Sequence, residues 1–172
     1  GTMTRKMMLT FARGVDAGLA AWLESEGAFP NSMVDRITPR STPDDRASLA
    51  SKFGIDDAWP VVCEPYIQWV IEDKFSDGRP PWEKVGVQMS DDVELFEKMK
   101  LRLLNASHSA MGYLGYLAGH EYIHEVALDP QFRRYIQNMM KDEVRPLLPK
   151  IPGIDLDAYC KTLIDRFSNP TI

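Results

Sequence analysis

Apolar residues recur at helical spacing along much of the chain, and four stretches carry the clearest pattern. Residues 4–26 predict two short helices with a break at Gly14. After Ser90, acidic residues in a first turn precede apolar positions that continue to Leu117, which predicts one long helix. Residues 131–144 and 156–167 predict two further helices, the last capped by Asp155.

Two segments have the composition of extended structure instead. Residues 29–38 lie between prolines and suit a short strand, while residues 60–72 are rich in β-branched and aromatic side chains around Pro65. Pro39, Pro43 and Asp44 predict a polar loop. The expected fold class is mainly α with a small β element, and 172 residues suffice for one domain.

Composition and charge exclude several classes of protein. With 44% hydrophobic and 26% charged residues, the chain has a globular composition. Its net charge of −5, without a basic cluster, argues against a nucleic-acid partner. The longest weakly charged stretch, 106–119, is interrupted by His108, so no membrane span is predicted. Two cysteines and no signal-peptide pattern predict a cytoplasmic protein.

Glycines bear on two further expectations. Neither G-x-G-x-x-G after a strand nor G-x-x-x-x-G-K-[ST] occurs, so the chain alone is not expected to bind a dinucleotide. Near the end of the long predicted helix, Gly112, Gly115 and Gly119 lie three and four residues apart. This spacing predicts the close approach of a neighbouring helix.

The long predicted helix carries three polar side chains of catalytic type. From Lys100, Asn105 and His108 are offset by 5 and 8 residues, which places them roughly 140° and 80° around an α-helix at about 100° per residue. A lysine that burial makes neutral can take a hydroxyl proton, while amide and imidazole groups hold oxygen atoms. The alternative is a solvated lysine and polar side chains without a chemical role.

A second candidate is His120-Glu121-Tyr122-Ile123-His124, a literal H-E-x-x-H. On a helix it places two imidazoles one turn apart with a glutamate between them, as zinc peptidases require. Glu143, 19 residues beyond His124, would be the third ligand. Against this alternative, the following Leu-Asp-Pro break gives no sign of a substrate-aligning edge strand.

Five segments in order resemble the long-chain mannitol dehydrogenase family. They are residues 29–39 (FPNSMVDRITP), 63–73 (CEPYIQWVIED), 78–83 (GRPPWE), 99–109 (MKLRLLNASHS) and 165–170 (DRFSNP). Several independent motifs in the right order are far more specific than one five-residue match. The resemblance therefore favours a dehydrogenase over a zinc peptidase, with no metal.

The resemblance implies a two-domain NAD(P)-dependent enzyme with a multi-helical C-terminal domain like that of 6-phosphogluconate dehydrogenase. Residues 1–172 would form this helical substrate-binding and catalytic domain. We expect the chain to be a fragment, inactive in isolation, that lacks the dinucleotide-binding domain and a distal C-terminal part. NAD or NADP would be bound mainly by the missing domain, and no residue of this chain is assigned to it.

The resemblance also implies residue roles. Lys100 would be the general base in the interconversion of a polyol such as D-mannitol and its 2-keto sugar, D-fructose, by hydride transfer. Asn31 and Asn105 would hold the reacting oxygen, as in an oxyanion hole. His108 would bind the substrate, and Glu97 would relay the released proton.

Two further interpretations of the sequence remain open. Hexuronate reductases of the same family, acting on fructuronate or tagaturonate, share the Lys-Asn-His pattern, although the Asn31-Ser32 pair favours the polyol branch. The other interpretation is a catalytically inactive interaction domain. The small-molecule partner is a polyol or keto sugar, and no oligomeric state is predicted.

Overall fold

A computed structural model describes residues 1–171 of the chain, which divides into two units. The first unit contains residues 1–34 and 68–97, and the second contains residues 35–67 and 98–171. Helices predominate, as the sequence predicts, and the β structure is small. Within the described residues, no helix is both long and apolar enough to span a bilayer.

The first unit begins with two helices that pack on each other, α1 (Thr2–Val15) and α2 (Ala17–Glu26). Two helices are confirmed here, but the break lies at Asp16 and not at Gly14. The Asp16 carboxylate accepts hydrogen bonds from the backbone N–H groups of Gly18 and Leu19, which caps α2. Gly14 continues α1 because a single glycine is tolerated inside a helix.

The sheet has the order β1–β2–β3 and belongs to the first unit except for Asp35, the last residue of β1. Its strands are β1 (Ser32–Asp35), β2 (Gln68–Glu72) and β3 (Gln88–Ser90). β2 and β3 pair in parallel, with Val70 opposite Gln88. Buried Val70 and Ile71 place β2 in the core of this unit. A 3₁₀ turn, Trp82–Val85, precedes β3. Neither the turn nor β3 is predicted from the sequence pattern.

The long predicted helix is continuous from Glu94 to Leu117 but has three parts. They are α4 (Glu94–Met99), which begins in the first unit, a first π segment (Lys100–Asn105) and α5 (Ala106–Leu117). In the second unit it is followed by α6 (Ile123–Leu128), α7 (Pro130–Asn138), a second π segment (Met139–Val144), a 3₁₀ turn (Arg145–Leu147) and α8 (Leu156–Phe167).

The polar loop predicted around Pro43 is wrong, because these residues begin α3 (Pro43–Phe53). Thr42 and Asp45 form a capping box, with Pro43 at the first helical position. Gly54 ends the helix in the left-handed region, at φ 66°. Its end signals are strong, but α3 buries no residue, so it lacks the apolar periodicity on which the sequence analysis depended.

Close packing is confirmed at only one of the three glycines considered on α5 and its end. A Cβ atom at Gly115 would collide with Val126 of α6, which packs against this position. Gly112 has no atom within 4 Å of such a Cβ. Gly119 has φ +90°, so its role is conformational and concerns the end of the helix.

Candidate functional site

The first π segment carries Lys100 at one end and Asn105 at the other. The N–H of Ala106 donates to the carbonyl of Leu101, five residues earlier, which defines the wider turn. Because this turn contains more residues than an α-helical turn, the angles derived at 100° per residue do not hold here. Lys100 and Asn105 are separated by one π turn and lie closer to one face than predicted. Such single π turns within α-helices occur frequently at functional sites.

A second π segment, Met139–Val144, packs against the first. Here the N–H of Arg145 donates to the carbonyl of Met140, again across five residues. Each segment buries one apolar side chain, Leu103 in the first and Met140 in the second. Lys100 is half-buried and Asn105 is exposed, so the Asn105 amide is open to a small molecule.

His108 lies in the first turn of α5 and borders a cleft of about 790 Å³ in the second unit, called here the His108 cleft. Its lining residues are Ile37, Pro39, Arg40, Thr42, Asp45, Val62, His108, Glu121, Tyr122, Ile123, His124, Arg166, Phe167, Pro170 and Thr171. Lys100 and Asn105 do not line this cleft. A concave site with a few hydroxyl, imidazole and guanidinium groups is suited to a polar small molecule.

Asn31 and Glu97, 66 residues apart in the sequence, are joined in the first unit. The Asn31 side-chain amide donates to Glu97 Oε1 at 3.0 Å. Two further bonds hold the Asn31 backbone: its N–H donates to Glu72 Oε2 at 2.9 Å, and its carbonyl accepts from the Glu72 N–H at 2.8 Å. The Asn31 amide is thus oriented by a predicted proton-relay carboxylate.

The H-E-x-x-H residues do not lie on one helix. His120 precedes the helix, and its N–H donates to the Gly115 carbonyl, while α6 begins only at Ile123. The His120 ring contacts Phe132 edge-on at 5.7 Å, and His124 stacks on Tyr122 at 5.6 Å. Between Gly1 and Thr171, no group of three or more His, Cys, Asp or Glu side chains is placed to hold a metal ion.

A zinc site at H-E-x-x-H is therefore not supported, because no helical turn aligns the imidazoles of His120 and His124. Its third candidate ligand, Glu143, lies in the second π segment and is exposed. Sequence spacing was misleading here because Gly119 ends the preceding helix, and the backbone is irregular through Glu121.

Sequence reasoning missed a buried cluster of three charged residues in the second unit. Arg166 of α8 lies between Asp35 and Glu64, and these three residues are called here the Arg166 cluster. The guanidinium donates to both Asp35 oxygens at 2.9 and 2.8 Å. Its Nε and Nη2 donate to the Glu64 carboxylate at 2.6–3.1 Å. The side chains are 5%, 2% and 3% exposed, respectively.

Two tyrosines complete the surroundings of this cluster. The Tyr66 ring lies 4.0 Å from the Arg166 guanidinium carbon, as a cation–π contact. The Tyr159 hydroxyl donates to Asp35 Oδ2 at 3.3 Å. Burial and then the negative charge of Asp35 raise the pKa of both tyrosines. Burial opposes the charge of Arg166, but its bonds to Asp35 and Glu64 outweigh burial and raise its pKa.

A sequence signal for this cluster does exist. Asp35, Glu64 and Arg166 each come from a different segment of the family resemblance, at 29–39, 63–73 and 165–170. Charged residues are rarely buried without a partner, but a motif by itself does not show which charged residue is the partner of which. Their pairing spans 102 and 131 residues, which local pattern cannot indicate.

Comparison with known families divides the chain between two domain models. Residues 1–84 match the mannitol dehydrogenase Rossmann domain, and residues 92–172 match the mannitol dehydrogenase C-terminal domain. The expectation that residues 1–172 form a single helical domain stays a prediction, and its last residue, Ile172, lies outside the described residues.

Curated relatives extend the match across the whole chain. Mannitol 2-dehydrogenase from Aspergillus fumigatus is 62% identical over 175 residues, which cover 100% of this chain and 35% of that protein. The Pyricularia oryzae mannitol 2-dehydrogenase has the same identity and coverage. The chain thus spans about a third of the length of these relatives.

Solved structures agree with this match. Pseudomonas fluorescens mannitol 2-dehydrogenase, in a ternary complex with NAD and D-mannitol, has 54% identity and a TM-score of 0.85, over 98% of this chain and 34% of that one. A D-sorbitol dehydrogenase in substrate-free form has 41% identity and a TM-score of 0.91, over 97% and 34%. With both family models covering nearly all of its residues, this chain belongs to the mannitol dehydrogenase family.

Proposed function

We propose that this chain supplies substrate-binding and proton-transfer residues to an NAD(P)-dependent polyol dehydrogenase. The enzyme would interconvert a polyol such as D-mannitol and its 2-keto sugar, D-fructose. The observation that carries the proposal is the Lys100, Asn105 and His108 set on one helix, in a chain of the mannitol dehydrogenase family. A relative with 54% identity binds NAD and D-mannitol together, which supports this substrate class.

In the proposed reaction, the Lys100 amine takes the proton of the reacting carbinol hydroxyl. The carbon–hydrogen bond of that carbinol breaks, its electron pair leaves with the hydrogen, and the C–O bond becomes a carbonyl. The nicotinamide of NAD or NADP supplies the hydride acceptor. The position of Lys100 supports its role, because this half-buried amine lies at the start of the first π segment, on the same helix as Asn105 and His108.

Asn105 and Asn31 are proposed to donate hydrogen bonds to the reacting oxygen as negative charge develops on it. His108 is proposed to bind a substrate hydroxyl from the wall of the His108 cleft. Glu97 would accept the released proton and pass it on. Its bond to the Asn31 amide supports a shared role, since the same carboxylate orients the amide.

The described residues offer no dinucleotide site of the usual kind. The three short strands lack a glycine-rich turn that leads directly into a helix N-terminus. No residue of this chain is therefore proposed to bind the cofactor. We propose that no metal takes part in the reaction, because the Lys100 amine performs the deprotonation.

The test is turnover by a protein of full family length that contains these residues, assayed by NADH formation on a panel of polyols and hexuronates. In Lys100→Ala, kcat for mannitol should fall by about 10²–10⁴-fold, the usual contribution of a general base. Lys98→Ala is the matched control, because Lys98 is an exposed lysine two residues earlier. Full activity in Lys100→Ala would contradict the role of Lys100 as general base. Turnover of hexuronates but of no polyol would contradict the proposed substrate class.

A further inference from the structure

The Arg166 cluster lies at the wall of the His108 cleft. Arg166 and its neighbour Phe167 both line the cleft although each is buried. The Phe167 ring centroid is 6.4 Å from that of His108, with the two planes inclined at 55°. The end of α8 therefore supplies both the charged cluster and the ring against which the predicted substrate-binding imidazole rests.

The same cluster holds a second part of the wall. Glu64 Oε1 accepts a hydrogen bond from the backbone N–H of Ile37 at 2.6 Å, and the Glu64 N–H donates to the Ile37 carbonyl at 3.1 Å. Ile37 lines the cleft, and Asp35, two residues earlier, pairs with Arg166. One guanidinium thus connects the segment at Ile37 to the end of α8.

This connection depends on the geometry of arginine. All three guanidinium nitrogens donate to cluster carboxylates, Nε to Glu64, Nη1 to Asp35 and Nη2 to both. A planar guanidinium presents these donors in a fixed arrangement, whereas a lysine ammonium is a point charge on a flexible stem. Lysine would preserve the charge at this position and lose the fixed separation of the two carboxylates.

We propose that Arg166 is a positioning residue for the polyol substrate. It sets the separation of the Ile37 and Phe167 walls and thereby the orientation of the His108 imidazole, so that it determines the affinity for a polyhydroxylated small molecule. Arg166 acts through these neighbours, since its guanidinium is engaged by Asp35 and Glu64. This inference rests on the proposed function of His108.

The test uses the full-length protein with steady-state kinetics on mannitol and on the cofactor. In Arg166→Lys, KM for mannitol should rise about tenfold or more while kcat and KM for NAD stay within about threefold, which is the signature of lost ground-state binding. Arg133→Lys is the matched control. Arg133 donates to the Ser168 hydroxyl at the same end of α8 but does not line the cleft, so its KM should not change.

A second variant, Phe167→Leu, tests the same role if Arg166→Lys does not fold. Phe167→Leu removes the ring beside His108 and leaves the Arg166 cluster intact. It should also raise KM for mannitol selectively and shift the His108 ring-proton resonances, because an aromatic neighbour is lost. The thermal unfolding temperature of each variant is recorded alongside the kinetics.

Each outcome distinguishes this inference from the proposed function. A wild-type protein that turns over no polyol overturns both. An active wild type with unchanged KM in Arg166→Lys and Phe167→Leu overturns the positioning role alone. A fall in kcat together with similar rises in KM for mannitol and for NAD would indicate general structural damage. That result would also overturn the positioning role.

Discussion

Two arginines in this chain each lie between two carboxylates, one at the surface of the first unit and one buried in the second. Arg79 donates to Asp73 at 2.8 Å and to Glu83 at 2.6 Å, and these partners are 41% and 50% exposed. The shortest bonds of Arg166 to Asp35 and Glu64 are also 2.8 and 2.6 Å, but these partners are 2% and 3% exposed. Identical chemistry in the two regions therefore differs mainly in its access to water.

This difference in exposure decides how much the ion pairs of Arg79 and of Arg166 contribute to stability. At the surface, water solvates an unpaired charge well, so the Arg79 pairs are worth little. In the interior, each Arg166-cluster charge depends on its partners because water is excluded. The Arg79 bond to Asp73, followed by that to Glu83, raises the pKa of the guanidinium, as pairing also does for Arg166. The direction of the pKa shift is therefore the same for both arginines and does not distinguish the exposed arginine from the buried one.

The largest effect is expected from Arg166→Ala. This change leaves two buried carboxylates without their counter-ion and should destabilise the second unit by about 3–5 kcal/mol. Native-state hydrogen exchange of the α8 amides measures that loss locally. Arg79→Ala, the surface counterpart, should change the stability of its own unit only slightly, because exposed ion pairs contribute little. A similar loss at both arginines would contradict the comparison.

Replacing the whole buried cluster by apolar residues should restore part of this loss. In the triple variant Arg166→Met, Asp35→Leu, Glu64→Met, no buried charge remains, so up to about 3–5 kcal/mol, the loss expected in Arg166→Ala, should return. The same exchange measurement on α8 checks it. A triple variant less stable than the single one would show that the bonds themselves, such as that to the Ile37 N–H, dominate.

Two glycines of α5 repeat the contrast between buried and open environments. Gly115→Ala should cost about 1–3 kcal/mol, because the added methyl group meets Val126 in a packed interface. Gly112→Ala should stabilise by about 0.5–1 kcal/mol, since its surroundings are open and alanine favours the helix. Thermal unfolding of the two variants, side by side, tests both signs; equal shifts would contradict the packing assignment.

The smallest effect concerns the pH dependence of the ion pairs that Arg79 forms with Asp73 and Glu83. The Arg79 hydrogen bond lowers the pKa of Asp73, and a backbone hydrogen bond followed by Arg79 lowers that of Glu83. Because the folded values lie below the ordinary ones, this contribution is present above about pH 4.5 and is lost as pH falls through the folded values. The difference in unfolding temperature between wild type and Arg79→Gln should therefore shrink towards about pH 3. A difference that grows on acidification would contradict it.

Local pattern predicted much of this protein. The bounds of α8 and its Asp155 cap, the helical run to Leu117 and a short strand within residues 29–38 all follow from periodicity, caps and proline placement. The family resemblance, and with it Lys100, Asn105 and His108 as candidate residues, came from motif order. α3 and α6 were missed because a helix of mostly polar or few residues has little periodicity.

Tertiary structure decided the widened turn at Lys100, the bond from Asn31 to Glu97, the separation of His120 from the helix of His124, and the Arg166 cluster. Periodicity reports on neighbours within about one or two turns, where the backbone itself sets the spacing. Asp35 and Arg166 are 131 residues apart, and a charge at either position costs free energy unless the other is present. Only folding brings both to the same place, so a pairing that depends on burial is decided by the packed structure and not by either sequence segment.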